Sequence, residues 1–455
     1  MIVMKFGGTS VESREAVARV TEIVKRFAHR RRIVVVSAMG KTTNKLLLAA
    51  EEAAAGRRDQ ALAIVDELRG HHLTDGLALA GSASAELDRY IRTHFEWLDE
   101  LVKGLSIVGE LSPRSTDAIA SVGERLSSLI VAFAFRAAEI PSQHIDARRV
   151  IVTDDRFTQA QPLFEETYAR LRERVAPVAQ SAVVVMGGFI GSTPDGQTTT
   201  LGRGGSDFSA AIVGAGVDAE EIQIWTDVDG MLTADPRIIQ GGHRVKSISF
   251  AEAAEMAYFG AKVLHPATML PAMEKNIPVS ILNSRNPGAE GTRITRHAVP
   301  SRNPVKSISC KRGVTIVNIH STRMLMAHGF LRRIFEIFDR YQTSVDMVST
   351  SEVSVSLTVE NPENLDKILS ELRTFSEVTT ENNQALVCLV GENIRHTPGI
   401  AGRAFGVFRE TNIRMISQGA SLLNLGFVIS EDDLKETVGA LHGEFFRELD
   451  PAVFA

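Results

Sequence analysis

Arg203, Ser206 and Asp207 close the stretch VMGGFIGSTPDGQTTTLGRGGSD, residues 185–207. An apolar run breaks at Gly187-Gly188, a polar turn follows at Ser192–Gly196, and three threonines lead into Gly-Arg-Gly-Gly-Ser-Asp. The next residues, FSAAIVGAGV, are apolar and Ala-rich and predict a helix packed on a sheet. Ser206 or Asp207 then stands at its N-terminus, where unpaired N–H groups and the helix dipole favour anions. Arg203 adds a planar fork suited to a carboxylate or phosphate. Glycines let the backbone approach a ligand closely. Alone, the pattern is more often an ordinary Gly-rich turn between strand and helix.

Other polar residues sit in comparable places. Ile2–Phe6 is a short apolar run that carries Lys5 and ends at Gly7-Gly8-Thr9-Ser10. Ile33–Val36 is a continuous β-branched run, as in a parallel strand buried on both faces, and it stops at Ser37-Ala38-Met39-Gly40 before a helix from about Thr43. Further strands are expected at Gln143–Asp146, Val183–Met186, Ile222–Trp225 and Pro278–Asn283, with Trp225-Thr226-Asp227-Val228-Asp229-Gly230 ending one of them. Polar, Gly-containing loops thus follow several parallel strands, which is where open α/β sheets bind ligands. Neither a GxxxxGK[ST] P-loop nor a GxGxxG fingerprint is present. Residues 44–135 read as helical with a break at Ser112-Pro113. Ser121–Glu124 interrupts them again before RLSSLIVAFAF, which puts Glu124 at the head of a buried helix, complementing its dipole.

Composition narrows the class. With 455 residues, 44% apolar and 23% charged, the chain has the make-up of a soluble globular protein of about three domains. A net charge of −5 gives no sign of a nucleic-acid partner. Two cysteines, Cys310 and Cys388, form neither a metal spacing nor a disulfide framework, and MIVMKFGG is not a signal peptide. Apolar runs such as Leu129–Phe135 fall short of a membrane span. A cytoplasmic location without membrane contact is expected.

The C-terminal third repeats. Residues 329–358 align without a gap on 399–428, pairing Gly329 with Gly399, Phe335 with Phe405 and Ser351 with Ser421. Each copy reads as a βαββαβ pattern of the ferredoxin-like class. The second copy lacks a strand that Val305–Ser309 can supply, so the first copy is expected to lie inserted within the second. A duplicated module of this size more often binds a small ligand or dimerises than does chemistry.

KFGGTS at 5–10, TTTLGRGGSD at 198–207, WTDVDG at 225–230 and FGAKVLHP at 259–266 resemble aspartokinases of the amino-acid-kinase fold, and the repeats resemble tandem ACT domains of the monofunctional, lysine-sensitive type. The resemblance implies an α/β catalytic domain at 1–298, with a mainly parallel sheet flanked by helices. It implies ACT domains at 313–384 and 385–455, the second completed by strand 305–310. It implies transfer of the γ-phosphoryl of MgATP to the β-carboxylate of L-aspartate, opening the aspartate-derived amino-acid pathway, in a homodimer or larger assembly joined through the ACT domains. Lys5 and Asp207 are then catalytic. Glu124 meets the substrate ammonium, Arg203 its α-carboxylate, and Thr43, Gly204, Gly205 and Ser206 complete that subsite, so the loop's anion is a carboxylate. Lys5, Gly7 and Gly8 cradle phosphates, while Thr226, Asp227, Arg237, Lys262 and Val263 serve the nucleotide. No protein metal site is implied.

For lysine as effector, the resemblance points to Met324, Gly329, Phe330, Leu331, Ser344, Val345 and Asp346, with Thr350, Ser351 and Glu352 closing over them. Asp346 can pair with a ligand ammonium, and core packing is the competing account of Phe330, Leu331 and Val345. Leu232, where several relatives have Tyr, Asp229, often Pro, and Met326, where relatives have His, depart from the pattern. The alternatives are a kinase of this fold acting on another acid, and an inactive amino-acid sensor.

Overall fold

Strand Ile2–Phe6 lies between parallel partners on both sides: Lys5 is level with Val35 of Arg32–Val36 and with Ile224 of Glu221–Thr226. Every residue of the strand is buried, as its unbroken apolar sequence requires. The protein is described here by a computed structural model that covers all residues except 261–265, 323–327 and 361–362. Its chain divides into two compact units. One comprises Met1–Met231, Lys246–Phe250 and Leu264–Ala298; the other comprises Leu232–Val245, Ala251–Val263 and Val299–Ala455.

Among the described residues, the first unit carries an eight-stranded sheet in the order Ser142–His144, Val183–Gly187, Arg32–Val36, Ile2–Phe6, Glu221–Thr226, Val279–Asn283, Thr292–Thr295 and Ser247–Ser249. Only the pairing of Thr292–Thr295 with Val279–Asn283 is antiparallel. Ile2, Met4 and Phe6 pack with Val17, Val20 and Val24 of helix Arg14–Arg26. A separate helical layer, Thr42–Ala54, Arg58–Leu79, Ser84–Val108 and Pro113–Ala137, closes around Leu46, Val65, Leu68, Ile91 and Phe95.

Pro113–Ala137 departs from expectation in two ways. It is one uninterrupted helix, capped by Ser112, whose hydroxyl accepts the Ser115 N–H, with Pro113 in its first turn. Glu124 is therefore about three turns inside the helix, not at its head. Gly123 prolongs the helix where a side chain would not fit: an added Cβ would lie 2.7 Å from Cβ of Ala38. The helix is also long and apolar enough to cross a membrane, contrary to the reading of its separate runs, but most of it is buried inside its unit.

Among the described residues, the second unit has a six-stranded antiparallel sheet built on two long strands, Val305–His320 and Glu377–Gly391. Residues 314–320 pair outward with Ser354–Glu360, and residues 384–390 pair outward with Asn424–Ser430. Each long strand therefore serves both copies of the repeat. Helices Phe330–Arg340 and Ile400–Val407 start alike, each from a left-handed glycine, Gly329 (φ +82°) and Gly399 (φ +85°).

Candidate active site

The carboxyl ends of the parallel strands open into a cleft of about 540 Å³ in the first unit. Lys5, Gly8, Thr43, Glu124, Arg203, Gly204, Gly205, Ser206 and Asp207 all line it, so residues far apart in sequence and chosen from the sequence meet there.

Lys5 enters from a central strand of the sheet and is 8% exposed. Its Nζ lies 2.6 Å from Oδ1 of Asp207, an ion pair set off the hydrogen-bond angle. Asp207 stands in the first turn of helix Gly205–Gly216, whose cap is Gly204 in a left-handed conformation (φ +74°), not Ser206 or Asp207. Gly188 lets this turn close: a Cβ there would lie 2.8 Å from Cα of Ser206. Gly188 thus approaches protein, not ligand. Arg203 is exposed at the turn and makes no ion pair or hydrogen bond among the described residues.

Glu124 is a buried acid of the site, 3% exposed. Its Oε1 accepts the Ala38 N–H at 3.2 Å, while its buried Oε2 has no partner among the described residues. Burial pushes the carboxyl up to about 8, against a smaller opposing effect of the Ala38 N–H. At neutral pH it is mainly protonated, and a cation arriving at Oε2 would ionise it.

Asp117 was not singled out from the sequence. It lines the cleft from the same helix and accepts the Thr200 N–H (3.0 Å), the Thr200 hydroxyl (2.6 Å) and the Thr158 N–H (2.8 Å). Burial raises its pKa and these three donors oppose the rise. It fastens the strand leading to Arg203. The available signal was its spacing: Asp117, Ala120 and Glu124 stand at i, i+3 and i+7 of the helix, hence on one face. Lys41, also in the cleft, was missed as well.

The phosphate and nucleotide assignments fare unevenly. Gly7 cannot offer its amide to a phosphate, because that N–H donates to the Trp225 carbonyl (3.1 Å). Gly8 lines the cleft. Thr226 donates to Asp227 (3.3 Å) in the first unit, whereas Arg237, in the second, is held by Asp235 with contacts of 2.5 to 3.1 Å. Lys262 and Val263 lie outside the described residues. Asp229 accepts from Asn283 (2.9 Å) and Asn286 (3.3 Å), which gives this departure a role in tying two loops together.

In the second unit, Asp346 does not present a free carboxylate. Lys311 Nζ lies 2.8 Å from its Oδ1 and the Tyr258 hydroxyl donates to the same oxygen at 3.1 Å. Lys311 also sits over the Tyr258 ring, 4.5 Å from its centre. The chain's own ammonium thus takes the place expected for a ligand's. Phe330 meets Phe375 edge-on and Val345 packs on the same core, as the packing account has it, while Leu331 is 40% exposed. Ser344, Thr350, Ser351 and Glu352 are exposed, Gly329 caps its helix, and Met324 and Met326 lie outside the described residues.

The cleft and sheet define a class, and the comparisons agree with it. Residues 1–283 match the "Amino acid kinase family" and residues 387–445 match "ACT domain". The chain is 37% identical to "Lysine-sensitive aspartokinase 3" of Escherichia coli (strain K12), covering 98% of this chain and 99% of that one. It is 40% identical to "Aspartokinase 1, chloroplastic" of Arabidopsis thaliana over 98% of this chain and 80% of that one. Among solved structures, E. coli aspartokinase III in complex with aspartate and ADP superposes with a TM-score of 0.86 at 37% identity, covering 98% of this chain and 100% of that one. The chain belongs to the aspartokinases.

Proposed function

We propose that this protein phosphorylates the β-carboxylate of L-aspartate with ATP, in the cytoplasm, giving 4-phospho-L-aspartate. The observation that carries the reading is the pairing of opposites in one cleft: the unpartnered Oε2 of Glu124 and the unpaired guanidinium of Arg203. An α-amino acid supplies both missing charges. Its ammonium suits Glu124 and its α-carboxylate suits Arg203, which leaves the side-chain carboxylate toward Lys5. The solved relative that holds aspartate and ADP supports the same substrates.

A carboxylate nucleophile is ionised at neutral pH, so no general base is needed. One of its oxygens forms a bond to the γ-phosphorus, the bond from that phosphorus to the ADP oxygen breaks, and ADP leaves with the electron pair. Positioning and charge neutralisation remain for the protein. Lys5, aimed by Asp207, faces the transferred group. Among the described residues no three His, Cys, Asp or Glu side chains converge on a metal site. Magnesium in this proposal would arrive with the triphosphate and would supply charge neutralisation to the transferred group.

The ACT repeats, with the boundaries 313–384 and 385–455, the second completed by strand 305–310, are assigned lysine-dependent inhibition, which the lysine-sensitive relative supports, and, as a separate part of the proposal, assembly into at least a dimer. ADP release measured with ATP, magnesium and L-aspartate, against L-glutamate and no acceptor, tests the activity, with hydroxylamine trapping the acyl phosphate. Turnover independent of aspartate, or none, rejects it.

A further inference from the structure

A second cavity, of about 310 Å³, opens in the first unit and is lined by Thr93, His94, Trp97, Ala118, Arg125, Arg148 and Thr198. Its charges do not cancel. Arg148 is neutralised by Asp146, which it holds through three contacts of 2.6 to 3.2 Å, and it donates to the Thr198 hydroxyl at 3.2 Å. Arg125 has no carboxylate partner among the described residues. Its Nη2 donates to His94 Nε2 at 2.6 Å, and its buried Nε has no partner.

The imidazole cannot supply the missing negative charge. A guanidinium only donates, so His94 Nε2 accepts, and Nδ1 carries the proton and donates to the Tyr90 carbonyl at 3.0 Å. His94 is thus neutral, and burial, with Arg125 beside it, keeps it so by lowering its pKa to about 4. Arg125 remains a cation, because arginine does not lose its proton in proteins. Among the described residues the carboxylate that acts on Arg125, Asp146, is already bound to Arg148, so this partly buried guanidinium is under-compensated, and an anion relieves it. Trp97, half exposed, gives the cavity an apolar wall.

We propose that this cavity is a second anion site, separate from the cleft, which takes an oxyanion, carboxylate or phosphate, on the fork of Arg125. The site adjoins the catalytic machinery through shared elements. Helix Pro113–Ala137 turns Ala118 and Arg125 to the cavity and Asp117, Ala120 and Glu124 to the cleft. Strand Thr198–Thr200 does the same with its two ends. An anion held here is therefore placed to alter how the cleft holds aspartate.

Trp97 reports occupancy directly, without turnover. The full chain is titrated with inorganic phosphate and, separately, with butyrate, with chloride at matched ionic strength as the control. The expected result is a saturable change in Trp97 emission with one or both anions, absent in Trp97→Phe and at least tenfold weaker in affinity in Arg125→Gln. Arg125 lines the cavity and not the cleft, so a signal from phosphate captured in the cleft would keep its affinity in Arg125→Gln, which separates the two sources. A response to phosphate alone or to butyrate alone identifies which oxyanion the site takes. Arg125→Lys, which keeps the charge and removes the fork, guards against a folding defect and is expected to bind at least several-fold more weakly. No saturable response to either anion, or undiminished affinity in the Arg125 variants, overturns the proposal.

Discussion

Oε1 of Glu124 accepts the backbone N–H of Ala38 at 3.2 Å, and that single bond is all the described protein offers a carboxyl buried in the middle of a helix. Its raised value, about 8, sets a pH dependence with a definite sign. The folded state binds this proton more tightly than the unfolded state, whose value is near 4.5. The contribution to stability is complete below that value and is lost as pH rises to about 8. Glu124→Gln should therefore be more stable than the parent at pH 9 and little different at pH 4, by denaturant titration at both values.

Substrate binding inverts this balance. An ammonium at Oε2 ionises Glu124, so aspartate binding at pH 7 should release a proton and strengthen as pH rises from 6 to 8, by up to about tenfold per unit. Calorimetry in buffers of different ionisation enthalpy reads the proton. No release would remove Glu124 from the ammonium subsite.

Arg203→Ala should raise KM for aspartate by about 10- to 100-fold, the worth of a hydrogen bond to a charged group, while KM for ATP changes by less than about twofold. Equal losses for both substrates would return the 185–207 loop to a structural turn.

Lys5→Met should lower kcat by about 100- to 1,000-fold, the usual effect of removing one transition-state donor. Asp207→Asn should fall in the same direction, and the double variant should lose less than the product of the two, since the ion pair acts as a unit. Additive losses would mean that the two residues act separately.

Lys311→Met frees the Asp346 carboxylate from its internal partner. If that carboxylate receives the effector's ammonium, the variant should be inhibited at several-fold lower lysine. Inhibition curves with and without the substitution decide this.

Lys306 and Glu252 form an ion pair in the second unit, 2.9 Å apart and almost wholly buried. Lys306→Met should cost about 3–5 kcal/mol in denaturant unfolding, the usual penalty for breaking a buried ion pair.

Sequence showed most clearly what depends on local pattern. The β-branched run at 33–36, the turn after the three threonines and the 70-residue offset between Gly329 and Gly399 each carry their own periodicity, and each appears in the structure. Glu124 was found but misplaced, because Gly123 looks like a helix break until Ala38 is seen pressing on it. Asp117 needed the helix to be continuous before its face could be read. The Lys311–Asp346 pair and the isolation of Arg125 depend on residues brought together by the fold, which no spacing announces.

The long strands Val305–His320 and Glu377–Gly391 also limit how the repeats can be engineered. Neither copy is a cassette. Deleting 313–384 cuts both long strands at the junction of the copies; because each strand runs unbroken from one copy into the other, the pair should melt in one cooperative transition. A chimera meant to exchange effector preference must carry the whole span from 305 to the C-terminal helix, with both copies travelling together.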